Sequence, residues 1–542
     1  MQKDNDTGEP DRNPDNPADT RLHQPILRWA DITPEAVALT DDHGTWTYRQ
    51  LRAAVAHAAS ILQGHGVRAG ERVMLVGENG RTLAAFILAV SLLDACAVLE
   101  NARRAPLEAE RIRAHADPRL VVYLLRDSDA ARAHARRAQA RASHCEALGA
   151  IAFGHANPLS EPDAGTGART QSRDDVAALI YTTGTTGTPK GVMVRHEALL
   201  FLPATVRRLR AITPADHAYG VLPITHIMGL AIVMASALRA GARLRLAARF
   251  DAGECVALLQ NDGLSMLQGA PAMFAKLLQY LDERPRATPQ GFPCLRFIAV
   301  GGAPLDLALK RRCEAYFGLP LHNGYGLTEG SSLCFTRLDD PRPDASVGRP
   351  LPGVAVRIVD ERGADLPTGT VGQLWVRGPQ VMKGYFREPA LTRQVCSEDG
   401  WFNTEDLARA DDAGNLTLVG RSKDLIACNG FKVSPQEVED ALNAHPAILQ
   451  SAVVGRVDVG SETVIAFVEL RDGDSGGAGD GDLAFDLPLL QTLFAQRLSP
   501  YKKPREIYAL TPLPAAPNGK VLKHQLRAML ADGSARRLPR IL

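Results

Sequence analysis

The stretch that most constrains this chain is Val176–His196. An apolar run, Val176-Ala-Ala-Leu-Ile-Tyr181, leads into Thr182-Thr-Gly-Thr-Thr-Gly-Thr-Pro-Lys190-Gly191, and Val192-Met-Val-Arg-His196 then resumes a strand-like pattern. Tyr181–Gly191 packs three glycines, five threonines and one lysine into eleven residues. The flanking runs read as buried strands, and Glu197-Ala-Leu-Leu begins a helix. Glycine lets backbone N–H groups close on a polyanion. Hydroxyls add neutral donors and Lys190 adds charge. Thr182, Thr183, Gly184, Thr185, Thr186, Gly187 and Lys190 thus have the chemistry of a pyrophosphate or triphosphate cradle. An ordinary Gly/Thr/Pro loop has the same composition, so the rest of the chain must decide. The stretch is not a Walker A loop, which runs Gly-x4-Gly-Lys-Ser/Thr straight into a helix. Here Pro189 precedes the lysine, and Gly191 after it has no hydroxyl to offer Mg2+.

At 542 residues the chain exceeds what one hydrophobic core supports, so at least two domains are expected. Lys+Arg 62 against Asp+Glu 61 leaves a net charge of +1, which calls for neither nucleic acid nor an anionic membrane. Cysteines at 96, 145, 255, 294, 313, 334, 396 and 428 form no CxxC pair. They fit reduced thiols rather than disulfides or a zinc site. Residues 1–20 are polar, with no apolar leader, and read as a disordered lead-in. The longest apolar run, Leu83–Leu93, is too short to span a bilayer. The expectation is a cytoplasmic protein without a transmembrane segment.

Strands alternate with helices through the first 320 residues. Glu71–Val76, Ala95–Leu99, Leu120–Leu124, Tyr219–Pro223, Ala242–Leu246 and Phe297–Val300 read as strands. Ala53–Gln63, Arg81–Leu93, Leu107–His115, Cys255–Gln260, Met273–Leu281 and Leu307–Phe317 read as helices. This rhythm argues for an α/β protein with helix-flanked sheets. Residues 126–172 read as a helix and a connecting loop. After 340, Val354–Val359 and Gly372–Arg377 alternate apolar and polar residues, the pattern of antiparallel strands in a small sheet or barrel. Helix Pro435–Asn443, strands Ile448–Gly455 and Val464–Leu470, and helix Leu487–Leu498 follow a boundary placed near 420, with a flexible loop at 472–482.

Other segments carry site chemistry. Asn323-Gly-Tyr325-Gly-Leu-Thr328-Glu329 offers a flat ring between glycines, then a hydroxyl and a carboxylate. The ring suits stacking on a base, and the acid suits Mg2+ bridging phosphates. Asp406 ends Trp401-Phe-Asn-Thr-Glu-Asp406, an acid able to accept from ribose hydroxyls. Arg421 and Lys423 sit at the boundary, and Lys520 lies on the Pro517-Asn-Gly-Lys520 turn. Each alone also fits a core aromatic, a turn former or a solvated charge.

Taken together and in this order, the segments closely resemble the adenylate-forming superfamily of acyl-CoA synthetases, peptide-synthetase adenylation domains and firefly luciferase, with fatty-acyl and aryl acid–CoA ligases the nearest in look. The matching motifs are Tyr181–Gly191, Leu222–Gly229, Gly301–Pro304, Asn323–Glu329, Gly372–Tyr385, Trp401–Asp406, Gly420–Glu439 and Pro517–Lys520. They cover roughly residues 25–530. The resemblance implies an N-terminal AMP-binding domain over 21–420, with two helix-flanked mixed sheets plus a small β-barrel. A mobile α+β lid over 421–542 would complete it. It also implies a reaction: a carboxylate attacks the α-phosphorus of ATP, pyrophosphate leaves, and a thiol, usually that of coenzyme A, takes the acyl group.

By motif, Thr182–Lys190 would bind the β,γ-phosphates. Gly302, Ala303, Pro304, Gly324 and Tyr325 would flank adenine. Thr328 would contact the α-phosphate and Glu329 would hold Mg2+. Asp406 and Arg421 would bind the ribose hydroxyls. Lys520 would bridge the carboxylate and the α-phosphate, His226 would stand by the reacting carboxylate, and Lys423 would mark the hinge.

Two positions depart from the pattern. Glu405 stands where relatives commonly carry glycine, which suggests a differently shaped loop if φ must be positive. Ala427 replaces a second lid lysine of some relatives, so no thiol-step role falls there. Ile227, Met228, Ile232, Val233, Met234 and Ser331–Cys334 would line the acyl pocket, without a lysine or arginine for a second carboxylate. An apolar or aromatic monocarboxylic acid is expected, although the same residues also suit a plain core. Two further readings stay open at this point: loading of a carrier-protein thiol, and a silent nucleotide-binding homologue.

Overall fold

The computed structural model describes residues 16–154, 171–183, 189–284, 291–421, 424–428, 431–458, 461–471, 486–516 and 521–537. Of the polar lead-in, residues 16–18 are exposed, and the chain is packed from Asp19 on. Asp19 is buried and pairs with Arg28, and its carbonyl accepts from Arg173 Nε at 2.7 Å.

Two large sheets share one apolar core. The seven-stranded sheet runs Arg141–Cys145, Gly149–Phe153, Leu120–Leu124, Arg72–Gly77, Cys96–Asn101, Val176–Thr183, Pro189–Arg195. Its middle four strands are parallel and its edges antiparallel. The nine-stranded sheet runs Arg349–Pro350, Ser331–Phe335, Leu321–Leu327, Phe297–Val300, Met266–Gly269, His217–Gly220, Arg243–Leu246, Val37–Asp41, Gly44–Thr47. Helix Arg81–Leu92 is buried along almost its whole length, which explains why its sequence is apolar on every side. Helix Tyr48–Gly64 starts ahead of the expected Ala53, and Tyr48 and Leu51 in its first turn are already buried. Its first turn is fixed by a capping box, with Thr47 Oγ1 accepting from Gln50 N and Gln50 Oε1 accepting from Thr47 N at 2.9 Å.

The 126–172 segment holds more than a helix and a loop. Helix Asp129–Arg137 is followed by the edge strands Arg141–Cys145 and Gly149–Phe153. A four-stranded antiparallel sheet, Ala355–Val359, Gly372–Arg377, Phe402–Ala410 and Leu416–Arg421, occupies the region expected to form a small barrel. Its inward residues Leu374, Val376, Phe402, Ala408 and Leu416 join the core of the large sheets.

Beyond Arg421 the cores are separate. Strands Ile448–Asp458, Ser461–Leu470 and Glu506–Ala509 form a three-stranded sheet with one apolar cluster on each face. Helices Pro435–Leu442 and Leu487–Arg497 cover one face, and helix Lys523–Ala531 the other. The 472–482 tract lies outside the described residues. Among the described residues no helix is long and apolar enough to cross a membrane, and none of the eight cysteines forms a disulfide.

Candidate active site

Three segments leave the carboxyl ends of parallel strands in the nine-stranded sheet, the place where open α/β sheets bind ligands. Leu222–Gly229 follows His217–Gly220, Gly301–Pro304 follows Phe297–Val300, and Thr328-Glu329 follows Leu321–Leu327. The first two meet where the Met228 side chain reaches Gly301. A Cβ on Gly301 would lie 3.1 Å from Met228 Cε and 3.3 Å from the Gly324 carbonyl oxygen. Gly301 thus comes close to the Gly324 backbone because it carries no side chain.

The first polar chain joins Tyr325, Asp406 and Arg421. The Tyr325 hydroxyl donates to one Asp406 oxygen, and Arg421 Nε lies 3.0 Å from the other. Asp406 and Arg421 are cross-strand partners in the four-stranded sheet, so sheet register builds this pair. Tyr325 and Asp406 are buried, whereas Arg421 reaches solvent. Burial, and then the Asp406 charge, push the Tyr325 hydroxyl well above its ordinary value. It therefore stays a neutral donor that fixes the ring plane. A carboxylate offers about four lone-pair sites, so Asp406 keeps acceptor capacity for a ligand.

The second chain joins Glu329, Tyr385 and Lys190. Tyr385 Oη donates to Glu329 Oε1 at 3.0 Å, and Lys190 Nζ stands 5.3 Å from the centre of the same ring, a cation–π arrangement. Backbone bonds brace it: Met382 N to Glu329 O at 2.7 Å and Phe386 N to Gly191 O at 2.8 Å. Lys190 comes from the antiparallel pair Val176–Thr183 and Pro189–Arg195, in which it stands opposite Thr182. Tyr181, at its base, donates to or accepts from His115 Nδ1 at 2.7 Å and packs its ring on Gly191.

His226 follows a tight turn, its N–H bonded to Pro223 O at 3.0 Å. Thr328 is buried, and Gly302 and Pro304 are exposed beside half-buried Ala303. Gly184, Thr185, Thr186, Gly187, Lys423 and Lys520 lie outside the described residues, as does the side chain of Thr183. Glu405 does adopt positive φ, +61°, so the loop keeps its left-handed residue despite the side chain. Its N–H is held by Asn403 Oδ1 at 2.9 Å, and Asp406 N by Thr404 Oγ1 at 3.1 Å. Those local bonds offset the backbone strain.

Ile227, Ile232, Val233, Met234, Leu333 and Cys334 are buried in the shared core, with Met228 half-buried. Met228–Ala235 forms a π-helix. A buried cation that its flanking sequence does not reveal lies beside Phe297 and Phe335. Arg210 comes from the end of helix His196–Leu209, and its guanidinium lies 4.4 Å from the Phe335 ring centre and 5.1 Å from that of Phe297. It also donates to Gln268 Oε1. Burial pulls its pKa down to about 9.

Two contributors carry little signal in the sequence. Tyr385 ends a motif, but its residue type assigns it no role. Asn79 sits in Gly77-Glu-Asn-Gly80, which reads as an ordinary turn, yet its amide makes three backbone bonds to residues 220–224.

A sequence model described as AMP-binding enzyme matches residues 26–386, and one described as AMP-binding enzyme C-terminal domain matches 437–520. The chain belongs to the AMP-binding enzyme family. The sulfoacetate–CoA ligase of Cupriavidus necator is 32% identical over 476 residues, 85% of this chain and 88% of that one. A feruloyl-CoA synthase from Amycolatopsis is 30% identical over 513 residues, 92% of this chain and 97% of its own. The crystal structure of ATP-bound MatB from Rhodopseudomonas palustris superposes with a TM-score of 0.78 at 28% identity, covering 94% of this chain and 99% of that one. Like its relatives, this chain is an AMP-forming acid–CoA ligase that uses ATP and coenzyme A.

Proposed function

We propose that the acid is an apolar or aromatic monocarboxylate, and that the residues gathered at the strand ends carry both half-reactions. One observation carries this reading. Two side-chain chains, Tyr325–Asp406–Arg421 and Glu329–Tyr385–Lys190, draw together residues from five separated motifs. The buried apolar wall from Ile227 to Met234 and Leu333–Cys334 supports the choice of acid. The Arg210 guanidinium is already taken up by Gln268 and two ring faces.

In this reading Lys190 and Thr182–Gly187 grip the pyrophosphate that leaves. Tyr325, fixed by Asp406, forms one wall for adenine, with Gly302, Ala303, Pro304 and Gly324 around it. Asp406 and Arg421 receive the ribose hydroxyls, and Thr328 meets the α-phosphate. Glu329 fits Mg2+: a hard carboxylate already oriented by Tyr385, one of the few protein ligands that ion takes beside phosphate oxygens. When bound, Mg2+ would neutralise charge on the phosphates. His226 orients the carboxylate of the acid, and Lys520 stabilises charge on both the attacking oxygen and the phosphorus.

Residues 21–420 act as the AMP-binding domain and 421–542 as a lid, consistent with their separate cores. Lys520 is needed at the phosphorus first and would obstruct the thiol afterwards. A rotation about Lys423 removes that conflict by changing the face the lid presents. Coenzyme A is the acceptor, and eight cysteines without a disulfide support a cytoplasmic setting.

Lys520→Ala tests the mechanism. Acid-dependent pyrophosphate exchange should fall about a hundredfold or more, while transfer of a supplied acyl-adenylate to coenzyme A is little affected. Equal survival or equal loss of both half-reactions would overturn the role given to Lys520.

A further inference from the structure

The polypeptide between strand His217–Gly220 and the π-helix Met228–Ala235 has no regular structure of its own. It nevertheless carries His226 and leads directly into Met228, so something must set its course. Asn79 is 5% exposed and stands just past strand Arg72–Gly77 of the other large sheet. Its Nδ2 donates to Gly220 O and to Leu222 O, both at 2.9 Å, and its Oδ1 accepts from Ile224 N at 2.9 Å. Both amide hydrogens and the carbonyl oxygen are thus spent on one turn. No other side chain of this size donates twice and accepts once in that geometry. Aspartate would set a carboxylate against two carbonyl oxygens, and serine would satisfy only one of them.

The same turn is boxed in on its far side. The Pro223 carbonyl accepts from His226 N, and it would lie 2.1 Å from a Cβ on Gly229. The segment therefore has little room to relax if its polar clamp is lost. The side chains assigned to the nucleotide and its phosphates, from Lys190, Tyr325, Glu329, Tyr385, Asp406 and Arg421, all come from other segments.

We infer that Asn79 is a positioning residue for the acid half of the site: from the seven-stranded sheet it holds the 220–224 turn, and through it His226, against the carboxylate to be activated. The inference rests on the role proposed above for His226.

The test is a double-mutant cycle on the full chain, read by acid-dependent pyrophosphate release, with Asn79→Ala, His226→Ala and both together. Asn79→Ala should lower kcat/KM for the acid by about tenfold, the scale of lost hydrogen bonds with partners left unpaired, while KM for ATP stays nearly constant. In the His226→Ala background the same substitution should have almost no further effect. If Asn79→Ala fails to fold, Asn79→Ser, which retains one donor, should show the same split between acid and ATP at smaller size. Additive losses, or parallel losses for acid and ATP, would overturn the role of Asn79 alone. A silent His226→Ala would overturn the role of His226 and this inference with it.

Discussion

Tyr385 binds two functions into one side chain. Its hydroxyl serves Glu329 and its ring face serves Lys190, so the two can be separated by substitution. Tyr385→Phe keeps the ring and loses the bond to the carboxylate. Hydrogen bonds to charged groups are worth about 1.5–3 kcal/mol, so kcat/KM for ATP should fall at least about tenfold and the Mg2+ requirement should rise, with KM for the acid unchanged. Tyr385→Leu should add a further loss in ATP affinity as the cation–π contact goes. Steady-state kinetics at varied Mg2+ and direct nucleotide titration check both. At this scale the sequence was legible where residue type announces chemistry. Lysine among glycines and a carboxylate after a glycine-flanked tyrosine are of that kind. Tyr385, Asn79 and Arg210 were not, because their roles come from partners more than fifty residues away.

Element boundaries followed periodicity closely where burial is one-sided or complete. Strands Leu120–Leu124 and Phe297–Val300 and helix Leu307–Phe317 fall where apolar spacing places them. The edge strand Arg141–Cys145 escaped because most of its residues are exposed, and pairing with Gly149–Phe153 rather than pattern makes it a strand. The π-helix escaped for the opposite reason: Met228–Ala235 is apolar throughout and presents no face to read. Its widened turn is capped by Ser236 Oγ donating to Ala231 O, five residues back, at 2.8 Å. Gly229 is its tightest point. Gly229→Ala would force the Pro223 and Leu222 carbonyls apart, and overpacking of this sort costs about 1–3 kcal/mol. Urea unfolding should show that loss, together with a raised KM for the acid.

In the whole molecule, the contact between the 435–442 helix and the large domain links stability to pH. Ser434 Oγ donates to Val419 O at 2.7 Å, and Asp440 comes within electrostatic reach of Asp306, which caps helix Leu307–Phe317 just beyond the Gly301–Pro304 loop. Burial, reinforced by the charges of Asp306 and Glu439, raises the Asp440 pKa from 3.8 to about 6, against the bond from Gln436 and the charge of Arg497. The folded pKa lies above the unfolded one, so the folded chain holds the extra proton. That contribution is complete below pH 3.8 and is lost as pH rises through 6. Asp440→Asn keeps an acceptor for Gln436 and removes the titration. It should therefore raise Tm at pH 8, with the difference from the native chain shrinking toward pH 4. Thermal melts across that range check the sign. The alternation of strands and helices and the order of the motifs made the architecture legible at this scale. The contact between helix Pro435–Leu442 and the large domain was not, since no local pattern says which surface a second core will meet.

The measurement closest to the centre of this account is a panel of aliphatic and aromatic carboxylic acids with ATP and Mg2+, read for pyrophosphate, AMP and thioester, with and without coenzyme A. Acid-dependent pyrophosphate release should favour apolar or aromatic monocarboxylates, with free AMP and acyl-CoA formed in step when coenzyme A is present. Formation of ADP, or no acid-dependent turnover across the panel, would contradict it.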